Sequence, residues 1–129
     1  MNRTILLIED NEQNRYLTTF LLEQNGYQVV SAPDGPQGIE AAEKALPAFI
    51  LLDIQLPVMD GYEVARELRR REALRETPII AVTSYAMVGD REKALQAGCN
   101  GYIEKPINPE TFIAEMERYR VSTETGVHP

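Results

Sequence analysis

Hydrophobic and polar positions along this chain alternate in blocks rather than residue by residue. Three blocks, Ile5-Leu6-Leu7-Ile8, Phe49-Ile50-Leu51-Leu52 and Ile79-Ile80-Ala81-Val82, are apolar at successive positions. A strand with one wet face places a polar residue at every second position. Unbroken apolar runs instead mark strands covered on both faces, as in a parallel sheet between helix layers. The pattern predicts strands over residues 4–8, 28–32, 49–52, 78–83 and 101–104.

Helical spacing fills the gaps. Between Glu12 and Asn25 the apolar Tyr16, Leu17, Phe20 and Leu21 fall on one amphipathic face, and Asn25-Gly26 supplies a left-handed stop. A second helix starts near Pro36, after Asp34-Gly35, and is expected to bury Ile39, Ala42 and Leu46. The third runs over residues 61–71 on Val64, Ala65 and Leu68, and the fourth over residues 88–97, ended by Gly98. The fifth follows Pro109 with Phe112, Ile113 and Met116 inward. Five strand–helix alternations with short loops imply right-handed crossovers and an open α/β sheet wrapped on both sides. The expected organisation is one domain over residues 1–120, followed by a polar tail over 121–129.

Composition narrows the functional classes. The 129 residues include 43% hydrophobic and 26% charged positions, the balance of a globular protein. Thirteen basic against twenty acidic residues leave a net charge of -7, which argues against a nucleic-acid surface. The run Arg69-Arg70-Arg71 lies beside Glu67, Glu72 and Glu76 and reads as a solvated mixed-charge helix end. Cys99 is the single cysteine, so no intrachain disulfide forms; it reads as a small buried or half-buried residue. No run is long and apolar enough to span a bilayer, and no leader pattern opens the chain, so a cytoplasmic protein is expected.

In open α/β sheets functional groups gather beyond the carboxyl ends of the strands. Glu9 and Asp10 follow the first strand, Asp53 the third, Thr83 and Ser84 the fourth, and Lys105-Pro106 the fifth. Taken singly, each has an ordinary reading. Glu9-Asp10 caps a helix, Asp53 begins a turn, Thr83 is a strand residue and Lys105 sits on the surface. Taken together they lie on one edge of the sheet. Converging carboxylates repel, and a hard divalent cation such as Mg2+ resolves the conflict with oxygen ligands while leaving positions for phosphate oxygens. Acid, cation, hydroxyl and ammonium are the parts that phosphoryl transfer requires.

The segments Ile8-Glu9-Asp10-Asn11, residues 52–61 (LDIQLPVMDG), Ala81-Val82-Thr83-Ser84 and residues 97–106 (AGCNGYIEKP) resemble the receiver domain of two-component response regulators over nearly the whole chain. The resemblance implies a flavodoxin-like doubly wound fold, five parallel strands in the order 2-1-3-4-5 with five helices. It implies phosphorylation of Asp53 by a histidine kinase or histidine phosphotransfer protein. It also implies Mg2+ held by Asp10, Asp53 and the backbone carbonyl of Gln55, with Glu9 acting chiefly through a metal-bound water. Thr83 and Lys105 would hold phosphoryl oxygens, and the Lys105–Pro106 bond would be cis. Tyr102 occupies the place of the aromatic switch residue, coupled to Thr83, and the remodelled surface would cover residues 85–119. Pro57 and Gly61 would shape the loop beyond the acceptor.

Ser84 stands where the family often has alanine, and Gln55 and Tyr85 stand where side chains influence water attack on the phosphoryl group. The stretches 84–87 and 97–100 are similar to stand-alone cell-cycle receivers and to receivers of hybrid kinases. The expected protein is a monomer or weak dimer that acts on a downstream protein target or in a phosphorelay, not a turnover enzyme, with no nucleic acid or membrane as partner. Two other readings remain at this stage. One is an aspartate-nucleophile phosphohydrolase of the haloacid dehalogenase type, which needs an acid where Gln55 stands; the other is a receiver-like scaffold that is never phosphorylated. His128, the sole histidine, lies in the tail and is a poor phosphohistidine candidate.

Overall fold

Apolar runs and capped helices settle into five β/α units. A computed structural model describes residues 2–84 and 88–120. The elements are β1 (Thr4–Ile8), α1 (Glu12–Gln24), β2 (Gln28–Ala32), α2 (Gly35–Ala45), β3 (Phe49–Asp53), α3 (Gly61–Arg69), β4 (Ile79–Thr83), α4 (Asp90–Ala97), β5 (Gly101–Glu104) and α5 (Phe112–Glu117), with a 3-10 turn at Glu72–Leu74. The sheet is parallel throughout, in the order β2-β1-β3-β4-β5.

Every residue of β3 and β4 is buried, as unbroken apolar runs in a doubly covered sheet require. Two cores lie on opposite faces. One joins Leu6, Ile8, Ile50 and Leu52 to Ile39, Val64 and Leu68 of α2 and α3. The other joins Ile5, Leu7, Leu51 and Ile80 to Leu22 of α1 and to Phe112 and Met116 of α5. Side chains cap the helices that start at the functional edge. Asn11 accepts from the Asn14 N–H, Asp34 from the Gln37 N–H, and Asp60 and Glu63 form a reciprocal capping box.

Four expectations need correction. The α1 face of Tyr16, Leu17 and Phe20 is not the buried one; these residues are 68%, 54% and 55% exposed, and α1 meets the sheet through Thr18 and Leu22. Leu46 is exposed because it ends α2 in the left-handed region, at φ 46°, which turns its side chain away from the helix face. α3 stops at Arg69, two residues early, and α4 starts at Asp90 rather than at Val88. Within the basic run, Arg70 is exposed and pairs with Glu67, and Arg71 pairs with Glu43 and Glu67.

Arg69 behaves otherwise. Its guanidinium donates to the carbonyls of Leu74, Arg75, Thr77 and Gly98 and to Asn100 Oδ1 at 2.6–3.3 Å, and so staples the starts of β4 and β5. Cys99 is buried, and burial pushes its thiol up to about 12, which leaves it unreactive. No described helix is long and apolar enough to cross a membrane. Tyr85, Ala86, Met87 and the tail 121–129 with His128 lie outside the described residues.

Candidate functional site

The register of the strands decides which side chains meet. Ile8 pairs with Leu52 and Asp53 pairs with Val82, so the residues just past β1 and the last residues of β3 and β4 emerge on one edge. Glu9, Asp53 and Thr83 are buried there, at 4%, 4% and 2% exposure, whereas Asp10 is exposed. Glu9, Asp10 and Asp53 each offer a carboxylate oxygen, and all three oxygens lie within 4.8 Å of one another. An all-oxygen set of this size with an open side is the donor chemistry that Mg2+ selects.

Lys105 enters from the end of β5. Its Nζ lies 2.8 Å from Glu9 Oε1 and 3.5 Å from Asp53 Oδ2. The peptide bond between Lys105 and Pro106 is cis. Burial and the neighbouring Glu9 charge push the Asp53 carboxyl up to about 7, against the pull of Lys105 and of the Gln55 N–H. One ammonium group does not fully offset this crowding. A divalent cation would draw the Asp53 carboxyl back to the ionised form.

Gly61 fixes how closely the following loop returns. A Cβ at this position would lie 2.6 Å from Ile54 Cα and 2.7 Å from the Asp53 carbonyl oxygen, so α3 can begin against the end of β3 only with glycine here. Pro57 lies within the same loop. Beside it Val58 is held at φ 70°, a region a β-branched residue rarely enters, and is 92% exposed.

Three features of the site escaped the reading of the sequence. Arg15 of α1 donates to the carbonyl of Glu9 at 2.8 Å and of Asp10 at 3.4 Å, shaping the acidic turn from behind. The Gln55 side chain donates to Thr83 Oγ1 at 2.7 Å. The exposed Leu17 and Phe20, with Leu21, Pro106 and Ile107, line a cavity of about 920 Å³ that reaches Asp53. Spacing alone marks Arg15 as one more helix-surface cation; only the fold turns it toward the loop. Tyr102 packs against the α2–α3 core, with its hydroxyl buried and without a hydrogen-bond partner among the described residues.

The arrangement has close counterparts. The chain matches the family described as response regulator receiver domain over residues 5–117. It is 41% identical over 119 residues to the polar-differentiation response regulator DivK of Brucella ovis, covering 92% of this chain and 97% of that one. The receiver domain of sensor histidine kinase PA1611 from Pseudomonas aeruginosa superposes with a TM-score of 0.85 at 41% identity, covering 92% of this chain and 98% of that one; that structure has a magnesium ion coordinated in its active-site cleft. Chemotaxis protein CheY4 of Vibrio cholerae gives a TM-score of 0.88 at 28% identity, covering 92% and 99%. With the family match over residues 5–117 and a relative 41% identical over nearly its whole length, the chain belongs to the receiver-domain family of response regulators.

Proposed function

We propose that the protein is a phosphorylation switch whose acceptor is Asp53, loaded from a phosphohistidine of a histidine kinase or histidine phosphotransfer protein. The observation that carries this reading is the buried Asp53 carboxylate, 3.5 Å from Lys105 and grouped with Glu9 and Asp10. In the transfer, an Asp53 carboxylate oxygen attacks phosphorus, the phosphorus–nitrogen bond to the donor breaks, and the imidazole leaves with the bond pair. Lys105 and the Thr83 hydroxyl then hold phosphoryl oxygens, taking up charge that the pocket would otherwise repel.

Asp10, Asp53 and the Gln55 carbonyl would hold Mg2+, with Glu9 reaching it through water. The ion supplies charge neutralisation between carboxylates and phosphoryl oxygens. Arg15 holds the acidic turn, and the Gln55 N–H donates to Asp53 Oδ1 at 3.0 Å, orienting the carboxylate.

A protein donor must bring its histidine to a recessed carboxylate. The exposed apolar α1 face beside Pro106 and Ile107 offers it a hydrophobic footing next to Asp53. Downstream, the new charge would draw Thr83 and let the Tyr102 ring fill the vacated space, biasing a two-state surface that a target protein reads or a relay uses. The reading puts the switch in the cytoplasm, as a monomer or weak dimer, and expects no sustained turnover. The phosphohydrolase alternative lacks its acid: Gln55 stands there, engaged with Thr83.

The test is labelling with acetyl phosphate and Mg2+, read by intact mass. The parent chain should gain one phosphoryl group and Asp53→Asn none. Label retained on Asp53→Asn would refute the acceptor assignment.

A further inference from the structure

Gln55 is tied to both partners of the proposed chemistry. Its backbone N–H meets Asp53 Oδ1, while its side-chain Nε2 donates to Thr83 Oγ1 at 2.7 Å and its Oε1 lies 3.4 Å from the Ser84 N–H. The two side-chain contacts fix the orientation of the carboxamide. Turned over, it would place an NH2 group against the Ser84 N–H, donor facing donor. The backbone around Gln55 is anchored as well. Ile54 N–H donates to the Val82 carbonyl at 3.1 Å, and Leu56 N–H and Gly61 N–H donate to the Ile54 carbonyl at 3.1 and 3.0 Å. The loop therefore cannot simply follow Thr83 when Thr83 moves.

We propose that the Gln55 carboxamide is a latch on Thr83, a positioning residue that holds the hydroxyl in its unphosphorylated place and so biases the switch toward the off state. The proposal rests on Asp53 being the phosphoryl acceptor. A phosphoryl group there draws the Thr83 hydroxyl, and any shift of Oγ1 stretches a 2.7 Å bond whose far end is pinned. Thr83 is 2% exposed, so water does not readily take over its side of the bond, whatever else the hydroxyl touches. Gln55 itself is exposed, so water does compete for the amide. Net hydrogen bonds of this kind shift an equilibrium by about threefold, up to about tenfold. Under the proposed function the Tyr102 ring would follow the space Thr83 vacates, and β5 carries it opposite Ala81 of β4, so the ring serves as the reporter.

Calorimetric titration of the full chain with beryllofluoride and Mg2+ tests the latch in the parent, Gln55→Met, Gln55→Asn, Thr83→Ala and the Gln55→Met/Thr83→Ala pair. Gln55→Met should bind about threefold or more tightly, and Gln55→Asn, one methylene shorter, should move in the same direction. The gain should vanish in the Thr83→Ala background. In ligand-free Gln55→Met the Tyr102 ring resonances should shift toward their beryllofluoride-bound positions. Unchanged or weaker binding by both Gln55 variants overturns the latch, as does a gain that persists without the Thr83 hydroxyl or leaves the Tyr102 ring unmoved. If the parent chain binds no beryllofluoride, the acceptor reading falls and the latch with it. Saturable parent binding with unaltered variants sinks the latch alone.

Discussion

At the amino ends of the strands, charged groups meet partners; at the carboxyl ends, three carboxylates crowd together and one lysine reaches two of them. Near the starts of β1, β2 and β3, Arg3 lies over the Tyr27 ring and Arg120 over the Phe49 ring, at 4.3 and 4.9 Å. Arg120 also pairs with Glu117 at 2.7 Å, and the Tyr27 hydroxyl donates to the same carboxylate. Near the starts of β4 and β5, Arg69 gathers four carbonyls and Asn100. The opposite end holds Asp53 with its carboxyl pushed up to about 7, Val58 in the left-handed region and the buried Tyr102 hydroxyl, unpartnered among the described residues. One sheet thus has a well-partnered end and a crowded end. Two of the groups that cost stability at that end, Asp53 and Tyr102, are ones the proposed chemistry uses.

If this division is real, substitutions at the two ends should act with opposite sign. The largest effect is expected for Arg69→Ala, which leaves several carbonyls without a donor and should cost about 3 kcal/mol in urea unfolding. Arg69→Lys should recover little of it, because one ammonium group cannot span carbonyls on two strand starts. A loss under about 0.5 kcal/mol would show that Arg69 is a surface cation after all.

Asp53→Asn should instead stabilise the chain in Mg2+-free buffer at pH 8, by about 2 kcal/mol. The sign follows from proton binding. In the fold Asp53 keeps its proton up to about pH 7, whereas in the unfolded chain it does so only to about pH 4. The fold therefore binds more protons across that window and loses stability as pH rises through it. The advantage of Asn should shrink steadily from pH 8 toward pH 4, and an advantage that grows on acidification would contradict the account. Tyr102→Phe comes last. Removing a buried hydroxyl that has no partner among the described residues should raise stability by about 1 kcal/mol, read as a higher Tm, whereas a drop would mean the hydroxyl is satisfied.

The sequence was most legible where one residue type has one physical use. Unbroken apolar runs such as Phe49-Ile50-Leu51-Leu52 can only be covered strands here, and the acids past strand ends fall on one edge in any parallel sheet. It was least legible where a pattern has two uses. In α1 the stripe of Tyr16, Leu17 and Phe20 is more apolar than the one that holds Thr18 and Leu22, so helical period points to the face that the sheet does not cover. Arg69 looked like its neighbours Arg70 and Arg71, since bonds to carbonyls from distant loops leave no local charge pattern. The Gln55–Thr83 contact spans 28 positions and likewise depends on register rather than on spacing.

The central claim is that the crowding of Glu9, Asp10 and Asp53 is built for a cation. The direct measurement is unfolding free energy at pH 8 as a function of Mg2+ concentration, for the parent and for Asp53→Asn. The parent should gain stability with the logarithm of Mg2+ once the ion exceeds its dissociation constant, overtaking Asp53→Asn, whose own dependence is weaker. Parallel flat curves for the two proteins would contradict it.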